Sequence, residues 1–151
     1  MALDLLIALQ TVQVAILWVH DWLPLGSLND VKRVQAEDSK ARLVRVTLVQ
    51  SAPFTLGLIF SISYRQSGHP AWLWSWLWVS YLLLFAGELR AWWLPYLFRP
   101  EPQRAARYRK IFGGTHAFLP VHNGIAPNTL HCLLHAATAC TLLTLAVTTA
   151  R

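Results

Sequence analysis

His131 and His135 stand four positions apart in the run Asn128 to Val147, a spacing that sets two imidazoles one turn apart on a single helix face. Rings so placed suit a shared metal ion or a proton pathway. Zinc asks for a further protein ligand, for which Asp21, Glu88, His116 and His122 are candidates. Haem asks only for an axial histidine, or one from each of two helices, and His20 with His131 or His135 would supply that. Glu88 is the other reactive group. It lies in FAGELRAWW, nearly midway along an apolar run, where a carboxylate must find a partner. Arg90, two positions on, points to a different side of the helix, so each needs a partner from elsewhere: His135 or Gln50 for Glu88, Asp21 or a lipid phosphate for Arg90. Read as chemistry, Glu88 and His135 form an acid–base pair. Arg90, Gln50 and Asn123 would contact substrate, with Arg90 orienting an anionic group. A plainer account places His20, Asp21 and His131 in the cheap interfacial zone, lets His135 satisfy a buried hydrogen bond, and makes a Glu–His pair a device that fixes helix register.

The elements that would have to bring these groups together are four apolar segments, from about Leu3 to Leu25, Leu43 to Tyr64, Ala71 to Phe98 and Asn128 to Val147. Each is long enough to cross a hydrocarbon core of about 30 Å at about 1.5 Å per residue. Hydrophobic residues make up 55% of the 151 and charged ones 13%, against roughly 25% charged in soluble domains. A soluble bundle would need a polar face on every helix, and VSYLLLFA (79–86) has none. The chain is therefore expected to be all-α: one domain over 1–151, a four-transmembrane-helix bundle. The first segment is too long for a signal peptide and has no basic residue before Lys32, so it is expected to remain as a helix.

Basic residues set the expected orientation. Lys32, Arg33, Lys40, Arg42 and Arg45 flank the first loop, and Arg99, Arg104, Arg107, Arg109 and Lys110 fill the third. The positive-inside rule puts those loops in the cytoplasm and both termini outside. The net charge of +6 is then a topology signal and gives no support to nucleic-acid binding. On this orientation His20, Asp21, Gln50, Glu88, Arg90, His131 and His135 all fall in the cytoplasmic half, within about 15 Å of the inner helix ends. His116, His122 and Asn123 in the third loop lie near the start of the fourth segment. Trp72, Trp74, Trp76 and Trp78 at one end, and Trp18, Trp22, Trp92, Trp93 and Tyr96 at the other, fit two interfacial belts. Cys132 and Cys140, eight residues apart on one helix, are too far separated to bridge.

Between the segments, 31–42 reads as a short surface helix. Pro102 to Phe112, bounded by Pro100 and Gly113-Gly114, reads as a cytoplasmic amphipathic helix in the third loop. The strings HDWLPLGSLN (20–29), RAWWLPY (90–96) and THAFLP (115–120) followed by PNTLH (127–131) resemble a group of small bacterial four-helix membrane proteins of unassigned function. That resemblance implies a bacterial inner-membrane location and no particular chemistry. Three functions are compatible with the residues: an intramembrane enzyme or metal- or haem-binding protein acting on a lipid-like substrate, an accessory subunit of a larger membrane complex, or a proton-coupled transporter working as a homo-oligomer.

Overall fold

The computed structural model describes residues 2–150, and these fold into helices with no strand among them. Helix α1 (Ala2–Val19) is followed by a 3-10 turn (Gly26–Leu28), a short α2 (Val31–Glu37) and the long α3 (Lys40–Ser63). A continuous helical stretch comes next, made of α4 (Ala71–Glu88), a π turn (Leu89–Trp93) and α5 (Leu94–Leu97). Helix α6 (Pro102–Phe112) and a looped connection lead into α7 (Thr129–Thr149). Side-chain caps mark three of the starts: Asp30, Ser39 and Asn128 accept the backbone N–H of Arg33, Arg42 and His131, satisfying donors that the first helical turn leaves free.

Helices α1, α3 and α7 are long and apolar enough to cross a membrane. Helix α4 has comparable length, but four tryptophans, two serines and Glu88 dilute its hydropathy, so only three spans stand out. In the bundle α1 packs between α3 and α7, and α4 closes against α7 and α3. Leu6, Leu17, Phe54, Leu73, Leu77, Tyr81 and Leu145 form the shared core. Gly57 lets Leu77 approach so closely that an added Cβ would stand 3.0 Å from it, and the indole of Trp76 donates to the Pro53 carbonyl at 3.1 Å. The outward faces carry Val49, Val79, Leu82, Leu83, Leu143 and Val147, while Gln10, Gln13, Thr138 and Thr141 are fully buried. Apolar outside and polar inside reverses the pattern of a soluble bundle.

Two expected boundaries are corrected. The first helix ends at Val19, not near Leu25, because Asn29 holds a turn there: its Oδ1 accepts from Leu25 N at 2.7 Å, and its amide donates to the carbonyls of His20 and Leu23. The third segment is helical to Leu97 but interrupted by the π turn. The expected amphipathic helix appears over the same residues, 102–112, and α2 occupies part of the expected surface helix. These two pack on each other under the bundle, with Val34, Leu43 and Ile111 in one small core and Trp92, Tyr96, Ala105 and Ile125 in another.

Candidate functional site

Where α1 stops, His20 turns its ring back onto the helix end. Its Nδ1 lies 3.0 Å from the Ile16 carbonyl and 3.2 Å from that of Leu17. Carbonyls only accept, so Nδ1 carries a hydrogen. The other nitrogen, Nε2, lies 3.3 Å from Asp21 Oδ2, and this contact is attractive only with a proton between the two, on the ring or on the carboxyl.

Helix α7 supplies two imidazoles with opposite polarity. Asn128 Oδ1 caps the helix at His131 N and also accepts from His131 Nδ1 at 2.6 Å. The neutral His131 ring therefore keeps its lone pair at Nε2. One turn on, the Trp93 indole N–H donates to His135 Nδ1 at 3.1 Å. An indole nitrogen can only donate, so the neutral His135 ring carries its hydrogen at Nε2. The two rings stand 6.1 Å apart. Trp92 lies against His131 at 4.5 Å and continues into Tyr108 of α6 at 4.3 Å.

The π turn places these aromatics. Leu94 N–H reaches back five residues to the Leu89 carbonyl. Pro95 has no N–H, so the Ala91 carbonyl loses its ordinary helical donor. The Tyr108 hydroxyl at 3.0 Å and Arg104 Nη1 at 3.2 Å donate to it instead, tying α6 to the turn. Glu88, just before the turn, is buried. It accepts from the Thr138 hydroxyl at 2.7 Å, and that hydroxyl accepts in turn from Gln13 Nε2 at 2.8 Å. Glu88 Oε2, Gln13 Oε1 and both amide atoms of Gln10 are buried with no hydrogen-bond partner among the described residues.

These groups share one cleft of about 290 Å³. His20, Gln50, Glu88, Trp92, His131 and His135 supply its polar and aromatic lining, with Leu17, Leu83, Leu84, Gly87, Ala91 and Leu134 completing the wall. Of these residues Gln50, Leu83 and Gly87 are exposed, so the cleft opens on the flank of the bundle between α3 and α4. Nothing stands within 4 Å of the position a Gly87 Cβ would take. No protein-family model, curated protein or solved structure matches the chain. The reading of this cleft therefore rests on its own geometry.

The expected residues divide into two sets. His20, Gln50, Glu88, His131 and His135 come together in the cleft, and Asp21 touches it through His20. The pairing differs from expectation, because Glu88 bonds to Thr138 rather than to His135 or Gln50. Arg90 meets neither Asp21 nor this cleft. It is turned outward, and its Nη1 lies 2.8 Å from Glu101, which also takes Arg104 at 2.8 Å. The hydrogen bond from Arg104 is the largest effect that holds the Glu101 carboxyl below the usual glutamate range; desolvation opposes it, and the hydrogen bond from Arg90 and the charges of both arginines add to the lowering. His122 Nδ1 and Asn123 Nδ2 donate to the Tyr96 carbonyl, and His116 Nδ1 bonds to the Thr129 hydroxyl at 2.7 Å. These three residues fix the third loop and stand outside the cleft lining. Among the described residues no three His, Cys, Asp or Glu side chains gather to hold a metal. His20, Asp21, His116, His122, His131 and His135 are thus not brought together as a ligand set.

Gln13, Thr138 and Asn128 were not singled out by sequence, yet they orient the reactive groups. The signal for Gln13 was available, since Gln10 and Gln13 are the only amides in an otherwise apolar segment. Of Trp92 and Trp93, expected in an interfacial belt, Trp92 is buried and lines the cleft, while Trp93 reaches it through its hydrogen bond to His135.

Proposed function

We propose that this is an integral protein of a bacterial inner membrane whose cleft receives the polar end of a lipid-like molecule, on which Glu88 and His135 carry out acid–base chemistry. The flank opening between Gln50, Leu83 and Gly87 is the observation that carries the reading, because it faces the side from which a membrane-dissolved molecule would come. Inside it, the apolar body would lie on Leu17, Leu84 and Leu134. The head would meet three groups of different character: a lone pair at His131 Nε2, a hydrogen at His135 Nε2, and the unpartnered Glu88 Oε2. Such a set can take a proton from one atom of the bound molecule and return one to another.

In this reading the helical stretch 71–97 is a fourth crossing, the basic loops lie in the cytoplasm and both termini lie outside. The resemblance to small bacterial four-helix membrane proteins supports the location. A reporter fused to the C-terminus should behave as periplasmic; cytoplasmic behaviour would overturn this orientation.

The functional test is the content of protein extracted together with its surrounding lipid. Mass spectrometry should find a discrete amphiphile enriched over bulk lipid in the wild type, lost in His131→Leu and retained in Glu88→Gln. Wild-type protein holding nothing beyond bulk lipid, or a retained compound indifferent to His131→Leu, would overturn the proposal.

A second reading, proton passage, draws on one observation. The chain Glu88, Thr138, Gln13 leads from the cleft toward the opposite end of the bundle, with Gln10 one turn further along α1. Proton flux into liposomes that Glu88→Gln abolishes would favour it.

A further inference from the structure

A second depression, about 900 Å³ in volume, lies on the other side of the π turn, where the helical stretch ends and α6 begins. Arg90, Arg99, Arg104 and Arg107 line it, and the only acidic residue in its wall is Glu101. Glu101 is shared between Arg90 and Arg104, and Arg107 reaches Asp38 at 2.7 Å. Arg99 has no ion-pair partner among the described residues. Four guanidinium groups against Glu101 in the wall and Asp38 behind Arg107 leave the depression net positive, and guanidinium forks match phosphate oxygens in pairs.

The setting of this depression limits what fills it. Leu97 and Phe98 immediately precede Arg99, Leu94 lies about one turn earlier, and all three are exposed, Phe98 at 76%. Apolar side chains thus stand free beside the guanidinium groups, as they would at the boundary between lipid tails and headgroups. Tyr108, whose ring packs on Trp92, forms part of the same wall. Basic pockets between helices on a cytoplasmic face suit anionic lipid headgroups.

We propose that this arginine-lined depression seats the phosphate of an anionic phospholipid headgroup, with Arg99 and Arg90 as its principal contacts and the acyl chains lying along Leu94, Leu97 and Phe98. The proposal rests on the membrane reading above and is independent of the chemistry assigned to the His–Glu cleft. Arg104 is the positioning residue: its bonds to the Ala91 carbonyl and Glu101 fix the wall without needing a ligand.

The test uses the full chain in nanodiscs of phosphatidylcholine doped with phosphatidylglycerol, and measures lipid retained through release into detergent by native mass spectrometry. Phosphatidylglycerol should be retained at least tenfold over phosphatidylcholine, and Arg90→Gln with Arg99→Gln should bring that preference close to one. Arg45→Gln, at an exposed position of α3, should leave it unchanged. Arg99→Gln alone provides a variant that breaks no ion pair of the described residues, so loss of preference there cannot come from a damaged fold. Equal retention of both lipids, or a preference that survives the double substitution in folded protein, would overturn the proposal. Glycerol phosphate displacing the lipid at micromolar concentration would also overturn it, assigning the depression to a soluble phosphate ester. Failure of the protein to enter nanodiscs of either composition would instead overturn the membrane reading.

Discussion

On one side of the π turn, Glu101 gives each of its oxygens to a guanidinium at 2.8 Å. On the other side, Glu88 has one oxygen bonded to Thr138 and one with no partner among the described residues. The two carboxylates are thirteen positions apart in sequence and belong to depressions that share the same short stretch of backbone. The half-buried Glu101 has both oxygens paired, whereas the buried Glu88 keeps one oxygen with no partner among the described residues. Ion pairs at a surface are worth little and say little about purpose. A buried polar atom without a partner is costly, about 1 to 3 kcal/mol, and under the proposed function a molecule bound in the His–Glu cleft would relieve that cost.

That contrast can be broken by substitution. The largest effect is expected from Asn128→Ala, which removes the α7 cap, the acceptor that orients His131, and amide contacts to Leu28 and Thr115 at once. Denaturation in mixed micelles should show a loss of about 2 kcal/mol. A change under half of that would mean that water already serves these groups and that the cleft side is no less satisfied than the arginine side.

Thr138→Val is the next in size. It strips Gln13 Nε2 and Glu88 Oε1 of their common partner and should cost about 1 kcal/mol, somewhat above the average for hydrogen bonds between membrane helices because two groups are orphaned together. The matching substitution at a site already orphaned should behave in the opposite way. Gln10→Leu removes two buried, unpartnered atoms and is expected to be neutral or to stabilise by up to about 1 kcal/mol in the same assay. Destabilisation by Gln10→Leu would show that Gln10 has a partner in solution and would shift attention to a polar path through the bundle.

The smallest effect concerns the saturated side. The Glu101 carboxyl is depressed in the folded protein, so the contribution of its ion pairs is complete above the unfolded glutamate range near 4.3. It is lost only as pH falls through the lower folded value. Tryptophan fluorescence, sensitive to the Trp92–Tyr108 contact at 4.3 Å, should hold steady through mild acid and change only below that range. Glu101→Gln should flatten the low-pH change.

The apolar segments and the α6 bounds were legible because they depend on local signals: uninterrupted hydrophobicity, and Pro102 and Gly113 as punctuation. The membership of the cleft was largely legible too, since counting rise along helices places His20, Gln50, Glu88, His131 and His135 at one depth. Partners were not. Glu88 bonds to Thr138 because rotation of α7 about its axis, set by packing, decides which of its residues face α4. Arg90 was expected to meet Asp21 or a lipid phosphate, and in the structure it pairs with Glu101, beyond the π turn. Pro95 hinted at a disturbed helix but not at its form. The end of the first helix was overrun for a similar reason: Leu23 and Leu25 continue the apolar pattern, and the turn that stops it depends on Asn29 reaching back several residues.

The flank opening of the His–Glu cleft carries a consequence for selectivity. Under the proposed membrane reading, a molecule arriving there would already be dissolved among acyl chains, and its tail would exchange one hydrocarbon neighbour for another as it moved onto Leu84 or Leu134. Each methylene adds about 0.8 kcal/mol to the transfer from water into the bilayer, and almost nothing to the step from bilayer to site. Occupancy should then follow mole fraction in the membrane plane, indifferent to tail length, while a single altered atom in the head, whose contacts with His131, His135 and Glu88 have no counterpart in lipid, decides whether the molecule stays.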